Sequence, residues 1–174
     1  MATDKIRCST VIKASPKKIY DAWLDGRQHT QMTGGNRATG SGRIGGRFTA
    51  WDGYIEGRNL ELKPGRQIVQ EWRASDFPKN APSSRLEVKL EKAATGTRVT
   101  LIHSEIPSGM GASYLDGWKN FYSLPMQEHF AARPKAKPTT AAKKKEASKQ
   151  RTAKLTAAAA RAALRKRAGK VEGC

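Results

Sequence analysis

Residues 96–130 read GTRVTLIHSEIPSGMGASYLDGWKNFYSLPMQEHF, and both halves of the fold are in them. In the first half Val99, Leu101 and His103 recur with period two, which places them on one face of a strand. In the second half Tyr114, Leu115, Trp118, Phe121, Tyr122 and Met126 stand at i, i+1, i+4, i+7, i+8 and i+12. That spacing predicts a helix over Tyr114 to Phe130 with a broad aromatic face. Pro125 lies inside it and should kink or divide it, because its ring displaces a hydrogen bond to the preceding turn. A strand with one apolar face, feeding a helix with one aromatic face, is half of a two-layer domain.

Working outward, the period-two pattern begins at Phe48 and is punctuated by Asp52-Gly53, Pro64-Gly65, Pro78 through Pro82 and Thr95-Gly96, which reads as an antiparallel meander. Ile68, Gln70 and Trp72 share a face, as do Leu86, Val88 and Leu90. Glu71, Arg73, Glu87, Lys89 and Glu91 fall on the opposite face, which is therefore wet. Nearer the N-terminus, the β-branched run Ile6 to Ile12 stops at Ala14-Ser15-Pro16, where Ser15 is placed to cap a helix and Pro16 to start it. Ile19, Tyr20 and Trp23 lie on one face of that helix, Asp25-Gly26 ends it, and a short second helix is expected around Gln28 to Met32. The order is strand, helix or helices, about six strands, then a long helix, an α+β architecture in two layers.

The chain has 174 residues, 33 Lys and Arg against 15 Asp and Glu, a net charge of +18 and a mean hydropathy of -0.68. No apolar stretch approaches membrane-spanning length, so a spanning helix is excluded. Residues 131–174 carry +12 of that charge, contain none of the 12 aromatics, and have only Leu155, Leu164 and Val171 as large aliphatics. They cannot build a core, so residues 1–130 are expected as the domain and 131–174 as a basic tail, disordered or partly helical. Cys8 and Cys174 make neither a disulfide framework nor a metal spacing, which fits a reducing compartment. The N-terminus lacks the apolar core of a secretory signal, so the chain is expected in the cytoplasm, in association with a nucleoid or nucleus if the tail directs it there.

Four stretches taken together resemble the family of activators of the heat-shock protein 90 ATPase, within the START-like (helix-grip, SRPBCC) superfamily. They are ASPKKIYDAWLD at 14–25, GGRFTAWDGYIEGRNLELKPGRQIVQEWR at 45–73, GTRVTLIHSEIP at 96–107 and YLDGWKNFY at 114–122. The resemblance spans roughly residues 6–130 and implies a curved antiparallel sheet gripping a long C-terminal helix, often with a hydrophobic cavity between them. It also implies a choice of function, since the superfamily holds lipid and hormone binders, polyketide cyclases and chaperone activators. The eukaryotic activators are similar to this body in their C-terminal domain only, and no counterpart of their separate N-terminal chaperone-binding domain is expected here.

Phe48, Gln70, Trp72, Leu86, Val88, Leu101, His103, Tyr114, Trp118, Phe121 and Tyr122 are the candidate ligand-cavity residues. Filling a closed core and lining a cavity call for the same residue types, so the aromatic face is open to either reading. His103 is equally a core histidine bonded to its neighbours, a ligand contact or an acid–base group, although no nucleophile or carboxylate pair stands beside it. His29 and His129 read as surface residues. Gly40-Ser41-Gly42-Arg43-Ile44-Gly45 satisfies GxGxxG, but a strand rather than a helix follows, so it reads as a flexible rim or strand-entry loop. No catalytic residue, metal ligand or cofactor is assigned.

The tail resembles in composition the Lys/Ala/Pro tails of linker histones and bacterial nucleoid proteins. Its candidate nucleic-acid contacts are Lys135, Lys137, Lys143, Lys144, Lys145, Lys149, Arg151, Lys154, Arg161, Arg165, Lys166, Arg167 and Lys170. Such cations bind a polyanion by releasing its counterions and read no sequence. The leading expectation is a non-enzymatic START-like domain that binds a small apolar ligand or a protein partner and is tethered to nucleic acid by its tail. The alternatives are a heat-shock protein 90 co-chaperone, for which the charged outer face would supply contacts, and a cyclase- or hydrolase-type enzyme using His103.

Overall fold

The computed structural model describes residues 2–132. The tail residues named above, and Cys174, lie outside them. Strand β1 (Thr3–Ile12) gives way at Ser15, whose hydroxyl accepts the Lys18 amide at 3.3 Å, and helix α1 (Pro16–Leu24) starts on Pro16. Asp25 then serves two helices. Its amide donates to the Asp21 carbonyl to end α1, and its carboxylate accepts the Gln28 amide at 2.8 Å to open α2 (Gly26–Met32). One residue with two capping roles is what lets so short a second helix form.

The meander follows as β2 (Arg47–Ala50), β3 (Ile55–Lys63), β4 (Gln67–Ala74), β5 (Ser84–Ala93) and β6 (Gly96–Pro107). Five strands fill this run where about six are expected. The sixth is β1, which crosses to the far side and pairs with β6, giving the antiparallel order β1-β6-β5-β4-β3-β2. The hairpins fall at the turns that the sequence marks. Register aligns the inward side chains into rows. Ile68 stands opposite Val88 and Val88 opposite Leu101, while Gln70 stands opposite Leu86 and Leu86 opposite His103. All six are buried. On the other face Glu71, Arg73 and Glu87 are half-buried and Lys89 and Glu91 exposed.

The sheet is covered by a helical segment in three parts: α3 (Gly111–Trp118), a π turn at Lys119–Ser123, and α4 (Leu124–Ala131). Its buried side chains include Tyr114, Trp118, Tyr122 and Met126, each four residues from the last. In an α-helix of 3.6 residues per turn such a row drifts around the axis, and the wider π turn holds it nearer one line. Pro125 has no amide hydrogen, and it stands at the second position of α4, where none is needed. The division expected at Pro125 thus occurs, displaced into the turn before it.

Where β3 crosses β4, Gly57 admits no side chain. A Cβ there would overlap the Glu71 carbonyl and come within 2.8 Å of the Phe48 ring. The β2–β3 turn is tightened by three successive left-handed residues, Trp51, Asp52 and Gly53, at φ 55°, 56° and 84°. The first two carry a steric cost; Trp51 offsets it by burial, with its ring 5.2 Å from that of Phe121.

Trp118 is 3 % exposed at the centre of the helix–sheet contact. Truncation there removes an indole from the middle of the layer, so Trp118→Ala is expected to cost about 3–5 kcal/mol, read from urea unfolding of the full chain. A loss under about 1 kcal/mol, typical of surface sites, would contradict this packing.

Candidate functional site

The space between helix and sheet is occupied by rings. Trp72 on β4 lies 4.6 Å from His103 on β6 and 5.4 Å from Tyr114, centroid to centroid. Trp118 lies 4.6 Å from Tyr122, and Trp23, from α1, lies 5.4 Å from Tyr122 and stacks on Trp118 at 6.5 Å. Phe77 from the β4–β5 loop closes one end against Trp72 and Tyr114, at 5.9 Å from each.

The polar atoms in this layer are bonded to one another. Trp118 Nε1 donates to His103 Nδ1 at 3.2 Å, so that nitrogen is the acceptor and His103 carries its proton on Nε2. Nε2 therefore donates to Ser84 Oγ at 2.7 Å, and Ser84 donates onward to the Trp72 carbonyl at 2.8 Å. Burial without a charge partner pushes the His103 pKa down to about 3. Both ring nitrogens are engaged and the ring is neutral, an arrangement that holds a side chain in place.

His29 is a correction to the surface assignment: it is 6 % exposed. The break between α1 and α2 leaves the Trp23 carbonyl without a helical partner, and His29 Nδ1 donates to it at 2.9 Å. Its Nε2 then accepts from the Tyr122 hydroxyl at 3.3 Å. The His29 pKa is lowered by burial, the Trp23 bond opposing, and that of Tyr122 is raised by burial. The two buried histidines thus hold opposite tautomers, each set by a group able only to donate or only to accept. His129 is exposed.

A third tie runs sideways. Trp23 Nε1 donates to Gln70 Oε1 at 3.2 Å, Gln70 Nε2 donates to Asn59 Oδ1 at 2.8 Å, and Asn59 Nδ2 donates to the carbonyls of Ser41 and Arg43 at 2.6 and 3.1 Å. The Gly-rich loop therefore presents carbonyls inward to an amide. A phosphate cradle requires amides facing outward and a helix following; here β2 follows.

Of the eleven candidate cavity residues, ten are buried and Phe121 is half-buried, turned aside against Trp51. Trp72, His103, Tyr114, Trp118 and Tyr122 come together in the ring layer; Gln70 joins them through Trp23; Leu86, Val88 and Leu101 floor the sheet beneath. Phe48 stands apart on β2, at the wall of an outer-face depression. Sequence reasoning does not place Trp23, His29, Ser84 or Asn59 in this site. For His29 a signal exists, since it stands three residues before Met32 on α2, the spacing of a buried face. Ser84 and Asn59 give none, because their role depends on cross-strand register. Among the described residues no three His, Cys, Asp or Glu side chains are placed to hold a metal ion.

A curved six-stranded antiparallel sheet closed on a long C-terminal helix by an aromatic layer defines a helix-grip domain. The family described as "Activator of Hsp90 ATPase homolog 1-like protein" matches residues 13–130, and the chain belongs to that family. It is 28 % identical over 120 residues to an activator of 90 kDa heat shock protein ATPase homolog from Dictyostelium discoideum, a match covering 67 % of this chain and 30 % of that protein. The chain thus spans about a third of the length of that curated relative. The fold is also that of an HSP90 activator from Plasmodium falciparum (TM-score 0.57, 21 % identity, 70 % of this chain and 90 % of that one). A second solved relative is the Aha1 dimer from Colwellia psychrerythraea (TM-score 0.62, 22 % identity, 73 % and 96 %). DynU16, described as a putative protein in the dynemicin biosynthetic locus, is similar at TM-score 0.62 and 17 % identity over 74 % of this chain and 48 % of that one.

The depressed histidine pKa values make stability acid-sensitive. The unfolded chain takes up a proton on each ring near pH 6.5, whereas folded His103 resists until about pH 3. This contribution is complete above pH 6.5 and is lost as pH falls through that window, at a slope of up to about 1.4 kcal/mol per pH unit per histidine. Urea midpoints between pH 7 and 4 should fall more steeply for the natural chain than for His103→Gln. Equal slopes would mean that His103 is not held neutral.

Proposed function

We propose that this domain is a non-enzymatic interaction module that binds a heat-shock protein 90-type chaperone and alters its ATPase turnover. Family membership carries the reading, and the interior supports it. The polar atoms of Trp23, His29, Gln70, His103, Trp118 and Tyr122 are all hydrogen-bonded within the protein, so none of them calls for a ligand or stands ready as an acid or base. A small apolar ligand would have to part the Trp72, Tyr114 and Trp118 rings to lodge beneath the helix. That leaves the surface to bind. The test is the steady-state ATPase rate of the chaperone from the same organism at saturating full-length protein. Turnover should change; an unchanged rate, with no complex by sedimentation, would remove the reading.

We infer separately that the tail tethers the domain to nucleic acid, on the strength of the +12 charge of residues 131–174. Replacing Lys143, Lys144 and Lys145 by Gln in the full chain should lower affinity for duplex DNA. It should also flatten the log–log salt dependence by up to about 3 units, near 0.9 for each phosphate no longer neutralised. A slope equal to that of the natural chain would show that these lysines do not pair with phosphates.

A further inference from the structure

The end of the sheet formed by β2, β3 and the Gly-rich loop differs from the rest of the described surface. Residues 36–47, NRATGSGRIGGR, carry three arginines and no acid. Ile44 is 68 % exposed at the tip of this loop, and Leu60, 38 % exposed, sits on β3. The backbone brings them near each other. Gly45 N donates to the Asn59 carbonyl at 2.7 Å and Asn59 N to the Gly46 carbonyl at 3.0 Å, so Ile44 and Leu60 each stand one residue past the paired positions. A single exposed isoleucine is ordinary, but this one is held out by a fixed loop. Asn59 anchors two loop carbonyls and is itself anchored through Gln70 to Trp23.

Beside the loop, the outer face of β2, β3 and β4 holds a depression of about 350 Å³ between Arg47, Arg58, Glu56 and Glu71. Arg47 and Arg58 are directly opposite across the β2–β3 pairing, a like-charge placement that costs energy unless an anion offsets it. Glu71 satisfies Arg58 alone, accepting from Nε at 3.1 Å and Nη2 at 2.8 Å. Arg43 and Arg47 have no ion pair among the described residues. Arg73, at the far wall, is fixed by the Pro78 and Ala81 carbonyls.

From this arrangement we propose that the loop and the β2–β3 outer face form a docking site for an acidic segment of a partner protein that carries an apolar side chain. Carboxylates of the segment pair with Arg43 and Arg47, and its apolar residue covers Ile44 and Leu60. Arginine around an apolar anchor is the composition of an interface centre. The rigid loop keeps the ordering cost low, and a chain of charge +18 steers acidic partners toward itself. A protein segment is favoured over nucleic acid because an aliphatic side chain, not an aromatic one, is exposed at the centre, and a base has nothing there to stack on. The site goes beyond the chaperone reading and stands or falls without it.

The probe is a short synthetic peptide of Asp and Glu residues around two central leucines, with a control in which both leucines are serine. Titrated into the ¹⁵N-labelled full chain, the leucine peptide should shift amides at 43–47 and 56–60. Arg43→Gln with Arg47→Gln should weaken it about tenfold, and Ile44→Ser about threefold, in line with loss of a charge pair and of an apolar anchor. These side chains are exposed, so the variants stay folded, as their unshifted core amides will show. Shifts confined to residues 133–174, equal affinity for the serine control, or stronger displacement of the peptide by duplex DNA from residues 43–47 would each overturn the proposal. Loss of chaperone ATPase modulation plays no part in these outcomes.

Discussion

An indole nitrogen has one proton to give and a neutral imidazole one lone pair to take it. The bond from Trp118 to His103 joins the covering helix to the sheet on those terms. Its consequences run in both directions. On the sheet side it fixes the His103 tautomer, which commits Nε2 to Ser84 and, through Ser84, to the backbone of β4. On the helix side it sets the height and rotation of α3, and the π turn then brings Tyr122 round to His29. Sheet, covering helix and the N-terminal helical pair are joined by two histidines of opposite tautomer. A protonated imidazole at either place would present an N–H, where it now presents a lone pair, toward the Trp118 indole N–H or the Tyr122 hydroxyl.

These ties explain why so aromatic an interior is specified. Rings pack well in many arrangements, and a layer of tryptophan and tyrosine alone would fix neither helix rotation nor sheet register. Directional bonds between buried neutral groups remove those alternatives at little cost once every partner is satisfied. The Trp23–Gln70–Asn59 chain extends the same logic from the core to the Gly-rich loop, so a loop rich in glycine is nevertheless held at two of its carbonyls. Backbone freedom admits the tight path of that loop, and Asn59 selects one path from those available.

Much of this is legible in the sequence because periodicity reports which face of an element is buried. The inward rows of β4, β5 and β6, the aromatic face of the last helix, the Ser15 cap and the turn positions all follow from spacing and turn chemistry. What is not legible depends on register and on chain breaks. Asn59 and Ser84 are polar residues on strands, and only cross-strand alignment shows that one faces a loop and the other an imidazole. His29 reads as surface because α2 is short and weakly patterned, and its burial follows from the dual role of Asp25. The aromatic residues suit a cavity or a core equally well by type. The distinction lies in ring-to-ring distances and hydrogen-bond partners, which residue type alone does not encode.

The same partition bears on where this domain does its work. In a two-layer fold a binding site lies either between the layers or on a face, and between these layers the polar groups of Trp23, His29, Gln70, His103, Trp118 and Tyr122 are already paired within the protein. On the outside, Arg43 and Arg47 have no ion pair among the described residues and Ile44 meets water. They share one edge of the sheet, next to its shortest strand, on a loop whose position the core dictates through Asn59. A site built this way responds to partners by electrostatics and contact, with little movement of the scaffold, because the loop is anchored by hydrogen bonds from the buried Asn59 that would have to be broken first. Recognition at that edge is therefore expected to resemble rigid docking, with salt acting mainly on the rate of encounter and the Ile44 contact on the lifetime of the complex.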